Sequence, residues 1–181
     1  MSTDLDLVAA FVNTLDVESG HDALESAEAL RGWLVQRGLL GGDHPVTDAD
    51  LGRALAVREA IRGLAERNNP GAGTPPDAEP VETLNRLADG SRLILSFGPE
   101  GDARLESVDE GVPGALGRIL AAVFVAMTDG RWDRFKACAR DSCRWVYVDR
   151  SRNRSRTWCS MDVCGNREKA RAFRERRKAK R

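Results

Sequence analysis

Four cysteines near one end of the chain constrain its fold more than any other feature of the sequence. Cys138 and Cys143 form one C-x4-C pair, Cys159 and Cys164 form a second, and fifteen residues separate the pairs. Two close pairs joined by a loop can surround one tetrahedral Zn²⁺, each pair supplying two thiolates. Two disulfides or four buried thiols are the alternatives, although a reducing cytosol disfavours disulfides. Both histidines lie far upstream, so the cysteines predict one closed, structural zinc site per chain.

The residues around the cysteines predict how such a site is built. The flanks of the segment between the pairs, 144–149 and 156–158, are β-prone, and its middle, 150–155, is polar and turn-like. That pattern indicates a hairpin between the two pairs. The residues that follow Cys164 are strong helix formers. A knuckle, a hairpin and a helix whose first turn carries the last ligand correspond to a treble-clef arrangement.

The charge distribution divides the chain in the same place. The net charge is zero, but residues 1–130 hold 10 Lys and Arg against 22 Asp and Glu, whereas residues 131–181 hold 18 against 6. A basic segment joined to an acidic partner is typical of nucleic-acid-binding proteins. A net charge of +12 on 51 residues would repel itself strongly, which favours an anionic partner over a simply solvated face.

Two groups of cationic side chains are candidates for phosphate contacts. One group alternates along the predicted hairpin tip and comprises Arg150, Arg152, Arg154 and Arg156. The other lies on the predicted final helix, where i, i+4, i+7, i+11 spacing gives one face, and comprises Arg167, Arg171, Arg174 and Lys178, with Lys169 beside them. The planar guanidinium group of arginine can donate two parallel hydrogen bonds to a phosphate or to the edge of a guanine base. Both groups are therefore predicted to bind nucleic acid.

The aromatic and acidic residues of the basic segment have structural interpretations. Trp145, Tyr147 and Trp158 could stack on unpaired bases, but in so small a unit they are expected to form its core. Phe173 is expected to pack on the same core. Asp149 is expected to pair with a nearby arginine and so to fix the hairpin.

The first 130 residues predict a mainly helical domain with one small hairpin, which makes the whole chain α+β. Apolar residues recur at helical spacing in segments 5–15, 24–34, 51–64, 81–88 and 113–127. Thr47 is the expected N-cap of the third helix, and residues 68–80 read as a linker. Segments 92–97 and 103–108 predict a β-hairpin with a five-residue loop. The fifth helix is apolar nearly all round but interrupted by Gly117 and Arg118, and it is expected to be central and too short to span a bilayer.

The break in composition near residue 130 predicts two domains, 1–130 and 131–181, of which the first should fold on its own. Trp132 and Phe135 lie at the junction and need burial somewhere. The sequence therefore leaves open whether the basic segment packs into the core of the first domain.

Two motifs resemble those of a known bacterial family. Residues 158–161 (WCSM) and 164–167 (CGNR) resemble the signature of the CGNR-type zinc finger, and 149–151 (DRS) fits it too. Upstream, 11–16 (FVNTLD) is similar to the ABATE domain usually joined to that finger. The resemblance implies a stress-induced transcription regulator with a regulatory or ligand-sensing first domain and a nucleic-acid-binding finger.

These observations predict a bacterial, cytoplasmic transcription regulator that binds DNA, with a first domain that senses a small molecule or mediates homodimerisation. An RNA- or ribosome-binding factor and a zinc-stabilised protein-interaction module are the alternatives. Asn13 is a polar residue on an apolar helix. It either caps or bridges buried backbone or, as the family motif suggests, contacts a ligand or forms part of an interface. The chain carries no Gly-rich phosphate loop, G-x-S-x-G or H-E-x-x-H, so it is not expected to be an enzyme.

Overall fold

Over residues 4–69 and 79–178, which this computed structural model describes, helices alternate with short antiparallel hairpins. The first part contains α1 Asp4–Val12, β1 Leu15–Asp16, β2 His21–Asp22, α2 Ala27–Gln36, α3 Asp48–Arg67, α4 Glu79–Asp89, β3 Leu93–Phe97, β4 Ala103–Ser107 and α5 Gly111–Thr128. The second part contains a short 3₁₀ turn Trp132–Arg134, β5 Phe135–Ala137, β6 Val146–Val148, a π-helical turn Met161–Gly165 and α6 Asn166–Lys178. The predicted α+β class is confirmed.

Helices α1, α3 and α5 enclose the main core. Val8 and Phe11 of α1 and Ile119 of α5 are fully buried together. At the start of α3, Thr47 accepts a hydrogen bond from the amide of Asp50, and the Asp50 carboxylate accepts one from the amide of Thr47. This capping box fixes where α3 begins, as the sequence predicts for Thr47.

The buried stripe of α3 differs from the predicted apolar face. Ile61 is buried as expected, but Leu51 and Leu64 are only partly buried. Arg58 and Arg62 instead lie inside the protein, exposed by 3 % and 0 %. Each is stabilised by several acceptors, because a buried charge is tolerated only when it is paired and hydrogen-bonded.

The predicted β3–β4 hairpin is present with the expected loop. Leu95 pairs with Leu105 at the centre of the ladder. The hairpin lies close against α5: a Cβ added at Gly117 would come within 2.7 Å of the Ser107 hydroxyl oxygen. The glycine that interrupts the apolar pattern of α5 is therefore the point where strand and helix approach each other.

Helix α5 is longer than the sequence predicts. Its 18 residues have a mean hydropathy of 1.6, which by length and composition alone would suffice to cross a membrane. The core helix of a folded domain meets the same criterion, and 56 % of this helix is buried within the protein. The helix therefore acts as the core element of the first domain.

The hairpin of the basic segment is not where the sequence places it. Strand β6 pairs with β5, with Phe135 opposite Val148 and Ala137 opposite Val146. The strands therefore flank the first cysteine pair, and the arginine-rich residues between the pairs form an irregular loop rather than a hairpin tip. The physical reason is burial, since pairing β6 with β5 brings Phe135, Ala137 and Val146 into the core.

A single core crosses the predicted boundary at residue 130. Trp132, Phe135, Ala137 and Val146 belong to the same buried cluster as the residues of α1, α3 and α5. The rings of Trp132 and Phe135 stack with their centroids 5.0 Å apart. Of the predicted linker, residues 70–78 lie outside the described residues. Burial of these residues from the basic segment answers where Trp132 and Phe135 pack, and independent folding of residues 1–130 stays a prediction.

Candidate metal centre and basic surface

The four cysteines converge on one point. Their Sγ atoms all lie within 4.8 Å of one another, and the Cys143–Cys159 and Cys159–Cys164 sulfur pairs are both 3.7 Å apart. Four sulfurs arranged tetrahedrally about 2.3 Å from a zinc ion lie about 3.8 Å apart, whereas a disulfide requires about 2.05 Å. The cluster therefore fits one structural zinc ion and excludes the disulfide alternative for these sulfurs.

Local backbone structure positions the cysteine ligands. Cys138 and Cys143 occupy the turn between β5 and β6, where the Cys143 amide donates to the carbonyl of Arg140 over 2.8 Å. Cys164 belongs to the π-helical turn that leads directly into α6. The metal would thus tie the β5–β6 turn to the start of α6.

The surroundings of Cys159 oppose ionisation of its thiol when no cation is bound. The hydrogen-bonding Cys138 and Cys143 sulfurs, together with burial, raise the pKa of the Cys159 thiol far above its ordinary value. A bound zinc ion reverses this balance because it is coordinated by thiolates.

The loop between the cysteine pairs is organised by a buried ion pair. Lys136 Nζ lies 2.8 Å from Asp149 Oδ2, with both side chains almost completely buried. The amides of Ser151 and Arg156 also donate to this carboxylate, at 2.9 and 3.0 Å. Burial opposes ionisation, but these hydrogen bonds hold the pKa of Asp149 well below its usual range. The predicted partner was an arginine; the observed one is Lys136, because β5 carries that side chain inward beside β6.

The four predicted hairpin arginines are all exposed, but they differ in their contacts. Arg156 turns back onto its own loop: Nε donates to the carbonyl of Trp158 at 2.8 Å, and the guanidinium lies 4.8 Å from the Tyr147 ring centroid. Arg150 and Arg154 make only distant ion pairs, 3.7 Å to Asp6 and 3.4 Å to Asp133. Arg152 is exposed. The loop therefore presents Arg150, Arg152 and Arg154 to solvent.

The final helix carries all five predicted cations on an exposed element. Helix α6 includes Arg167, Lys169, Arg171, Arg174 and Lys178, and none of its residues is buried. Arg171 pairs with Glu168 at 2.8 Å and with Glu175 at 3.6 Å, which supports the helix locally. The prediction that Phe173 packs on a small core is wrong: Phe173 is 55 % exposed, as no residue of α6 is buried.

The aromatic residues largely follow the structural interpretation. Tyr147 is buried, and its hydroxyl donates to the carbonyl of Arg156 at 2.8 Å. Trp158 packs against the buried cysteines. Trp145 is 38 % exposed, so of the three residues Trp145, Tyr147 and Trp158 it is the most accessible to a base.

Comparison with protein-family models identifies both parts of the chain. Residues 5–131, more than two thirds of the sequence, match the ABATE model, described as "Putative stress-induced transcription regulator". The chain belongs to the ABATE family. Residues 134–177 of this ABATE protein match the CGNR zinc finger, and the cysteine geometry agrees with that match. No curated protein matches the chain.

Asn13 of the ABATE domain joins the two parts of the molecule. Its amide nitrogen donates to the carbonyl of Val146 and its amide oxygen accepts from the amide of Val146, both at 2.8 Å. Asn13 thus pairs with β6 as a neighbouring strand would. These contacts correspond to the backbone-bridging alternative, and the ligand role of Asn13 remains a prediction.

Helix α3 and the two residues after it supply further contacts to the CGNR finger that the sequence does not reveal. Arg62 donates to the carbonyls of Val12 and Arg144, at 2.7 and 3.0 Å. Asn68 Nδ2 donates to the carbonyls of Trp132 and Phe135, and Asn69 Nδ2 donates to those of Ala137 and Thr157. From helical spacing alone, Arg62 is only a polar residue that interrupts an apolar pattern. Asn68 and Asn69 are only the first residues of the predicted linker. Their function as partners of a distant backbone depends on the tertiary fold.

Proposed function

We propose that this ABATE-family protein is a cytoplasmic transcription regulator that binds DNA through its CGNR finger. In this proposal the finger loop and α6 contact phosphates, zinc holds them in fixed relation, and no catalytic step is involved. Family membership supports the regulatory role, and the cationic surface supports the nucleic-acid partner.

The exposure of α6 is the observation that carries the proposal. The helix has seven Lys and Arg against two Glu, and none of its thirteen residues is buried. A helix that is polar all round has no core to stabilise it, and its charge needs an anionic partner. A helix of this width fits the major groove of B-DNA, where arginine reads phosphates and guanine edges.

The proposal gives the ABATE domain a sensing role. An apolar cavity of about 430 Å³ lies between α4, the β3–β4 hairpin and α5, a size that suits a small organic ligand. Its lining includes Leu84, Leu105, Leu120 and Phe124. Dimerisation through the exposed Leu95 and Phe97 of the same hairpin is the other role that we propose for this domain.

The test compares two matched pairs of arginine substitutions. Arg171→Ala with Arg174→Ala should weaken binding to a random-sequence duplex about tenfold at low salt, because two phosphate contacts are lost. Arg86→Ala with Arg104→Ala removes the same charge from exposed positions of the ABATE domain and should change affinity little. Fluorescence anisotropy measures both.

The same assay with a structured RNA hairpin separates the alternatives. Tighter binding to RNA than to DNA would favour the RNA-binding alternative. Equal losses for both double variants would mean that only net charge matters and would contradict a site on α6.

A further inference from the structure

One carboxylate of the ABATE domain lies between two arginines of the finger. Glu18 Oε1 accepts from Arg140 Nη1 at 3.0 Å and from Arg167 Nη1 at 2.5 Å. Arg140 belongs to the turn that carries the first cysteine pair, and Arg167 belongs to the first turn of α6. Two guanidinium groups, one from each of the two segments that carry the cysteine pairs, thus converge on a single oxygen atom.

The turn that presents Glu18 is firmly built. Asp16 Oδ1 accepts from the amides of Glu18 and Ser19, at 2.9 and 3.3 Å. Gly20 completes the turn with a φ of +73°, in the left-handed region that favours glycine. Asp22, in the paired strand β2, is anchored to the buried Arg58 at 2.7 Å. The position of Glu18 is therefore set by the fold rather than by a free side chain alone.

The two arginines are also fixed in relation to the zinc site. Arg140 Nε also lies 4.0 Å from Glu168 Oε1 of α6, and the Arg140 side chain is only 18 % exposed. Arg167 follows Cys164 by three residues. An oxygen held by two preorganised guanidinium groups is the environment that arginine pairs give to a phosphate.

We propose that Arg140 and Arg167 form a subsite for a nucleic-acid phosphate and that Glu18 occupies this subsite when no nucleic acid is bound. The inference rests on the proposed function. It adds Arg140 to the binding surface and gives the ABATE domain an autoinhibitory contact with the finger. A backbone phosphate can replace Glu18 readily, because the carboxylate is 39 % exposed and exposed ion pairs are weak.

Two further ion pairs join acidic residues of the ABATE domain to arginines of the finger. Glu66 lies 2.5 Å from Arg144, and Asp6 lies 3.7 Å from Arg150. The acidic domain therefore meets the basic finger through specific contacts. Of these pairs, the one at Glu18 involves a cation of α6, the helix that we propose enters the groove.

The experiment compares Glu18→Gln with Glu25→Gln in the full chain. Glu25 is an exposed glutamate of the same domain, so its substitution matches the change in charge without the contact to the finger. Binding of a random-sequence 16-base-pair duplex is measured by fluorescence anisotropy at low salt. Glu18→Gln should raise affinity about fivefold, and Glu25→Gln should raise it much less. In an Arg167→Ala background the gain from Glu18→Gln should shrink, because the two residues act through one contact.

The outcomes distinguish this inference from the proposed function. If the wild-type chain binds DNA and the two glutamate variants behave alike, the subsite inference is overturned while the DNA-binding proposal stands. If neither the wild type nor Glu18→Gln binds the duplex, both are overturned. A gain from Glu18→Gln that persists undiminished with Arg167→Ala would show that Glu18 acts only through long-range charge, and it would also overturn the subsite.

Discussion

Replacing Phe135 with alanine should lower the free energy of unfolding of the whole protein by about 3–5 kcal/mol, the usual cost of removing a buried aromatic ring. Phe135 is the first residue of β5, is fully buried and stacks on Trp132. It belongs to the CGNR finger by sequence, yet it packs in the core of the ABATE domain. Chemical denaturation followed by far-UV circular dichroism should show one transition that moves to lower denaturant in the variant.

Phe173→Ala provides the matched control for this experiment. The substitution is the same, but Phe173 lies 55 % exposed on α6 and should change stability by less than about 0.5 kcal/mol. Two separate transitions, with only a small finger transition affected by Phe135→Ala, would contradict a shared core. A fragment of residues 1–130 that unfolds as cooperatively as the full chain would contradict it as well.

Replacing Cys159 with serine should reduce bound zinc from about one per chain to almost none. The four sulfurs surround a single point, and three thiolates cannot complete a closed tetrahedral site. Binding of structural zinc supplies a large part of the folding free energy in such modules. Loss of the metal should therefore release α6 and the loop after β6, while β5 and β6 remain in the core.

Metal analysis and amide hydrogen exchange measure the two consequences separately. Exchange should increase in α6 and remain slow in α1, α3 and α5, which have their own buried contacts. Ser142→Ala is the control: Ser142 lies exposed in the first cysteine turn and should keep its zinc. Full zinc content in Cys159→Ser, or equal loss in Ser142→Ala, would refute the four-cysteine site.

Local sequence patterns predict most of the helices and the metal ligands. Thr47 is identified as an N-cap by its side chain and by the acid that follows it, and both effects are local. The spacing of the four cysteines likewise limits which atoms can meet. Where the deciding interaction lies within a few residues, the pattern and the structure agree.

The hairpin of the finger shows where local patterns fail. Segment 144–149 is β-prone, and sequence alone offers it a partner on either side. The partner is β5 because burial of Phe135 and Val146 against α3 and α1 decides the pairing, and that contact spans more than 100 residues. The periodicity of the sequence likewise cannot predict which side chains link distant segments, as those of Asn13 and Arg62 do.

For the basic surface, the sequence predicts some features correctly and misses others. Helical spacing correctly places Arg171 and Arg174 on one exposed helix. It does not show that Arg156 folds back onto Tyr147 or that Glu18 meets Arg167. Which cations face solvent depends on carboxylates and carbonyls contributed by other parts of the chain.

The salt dependence of duplex DNA binding by the full-length wild-type chain tests the central claim most directly. If the finger loop and α6 neutralise four phosphates, the logarithm of the association constant should fall with the logarithm of salt concentration with a slope of about −3.6. The slope should become shallower by about one for each arginine contact that is removed. Absence of measurable binding at low salt, or binding whose affinity does not change with salt, would contradict the account.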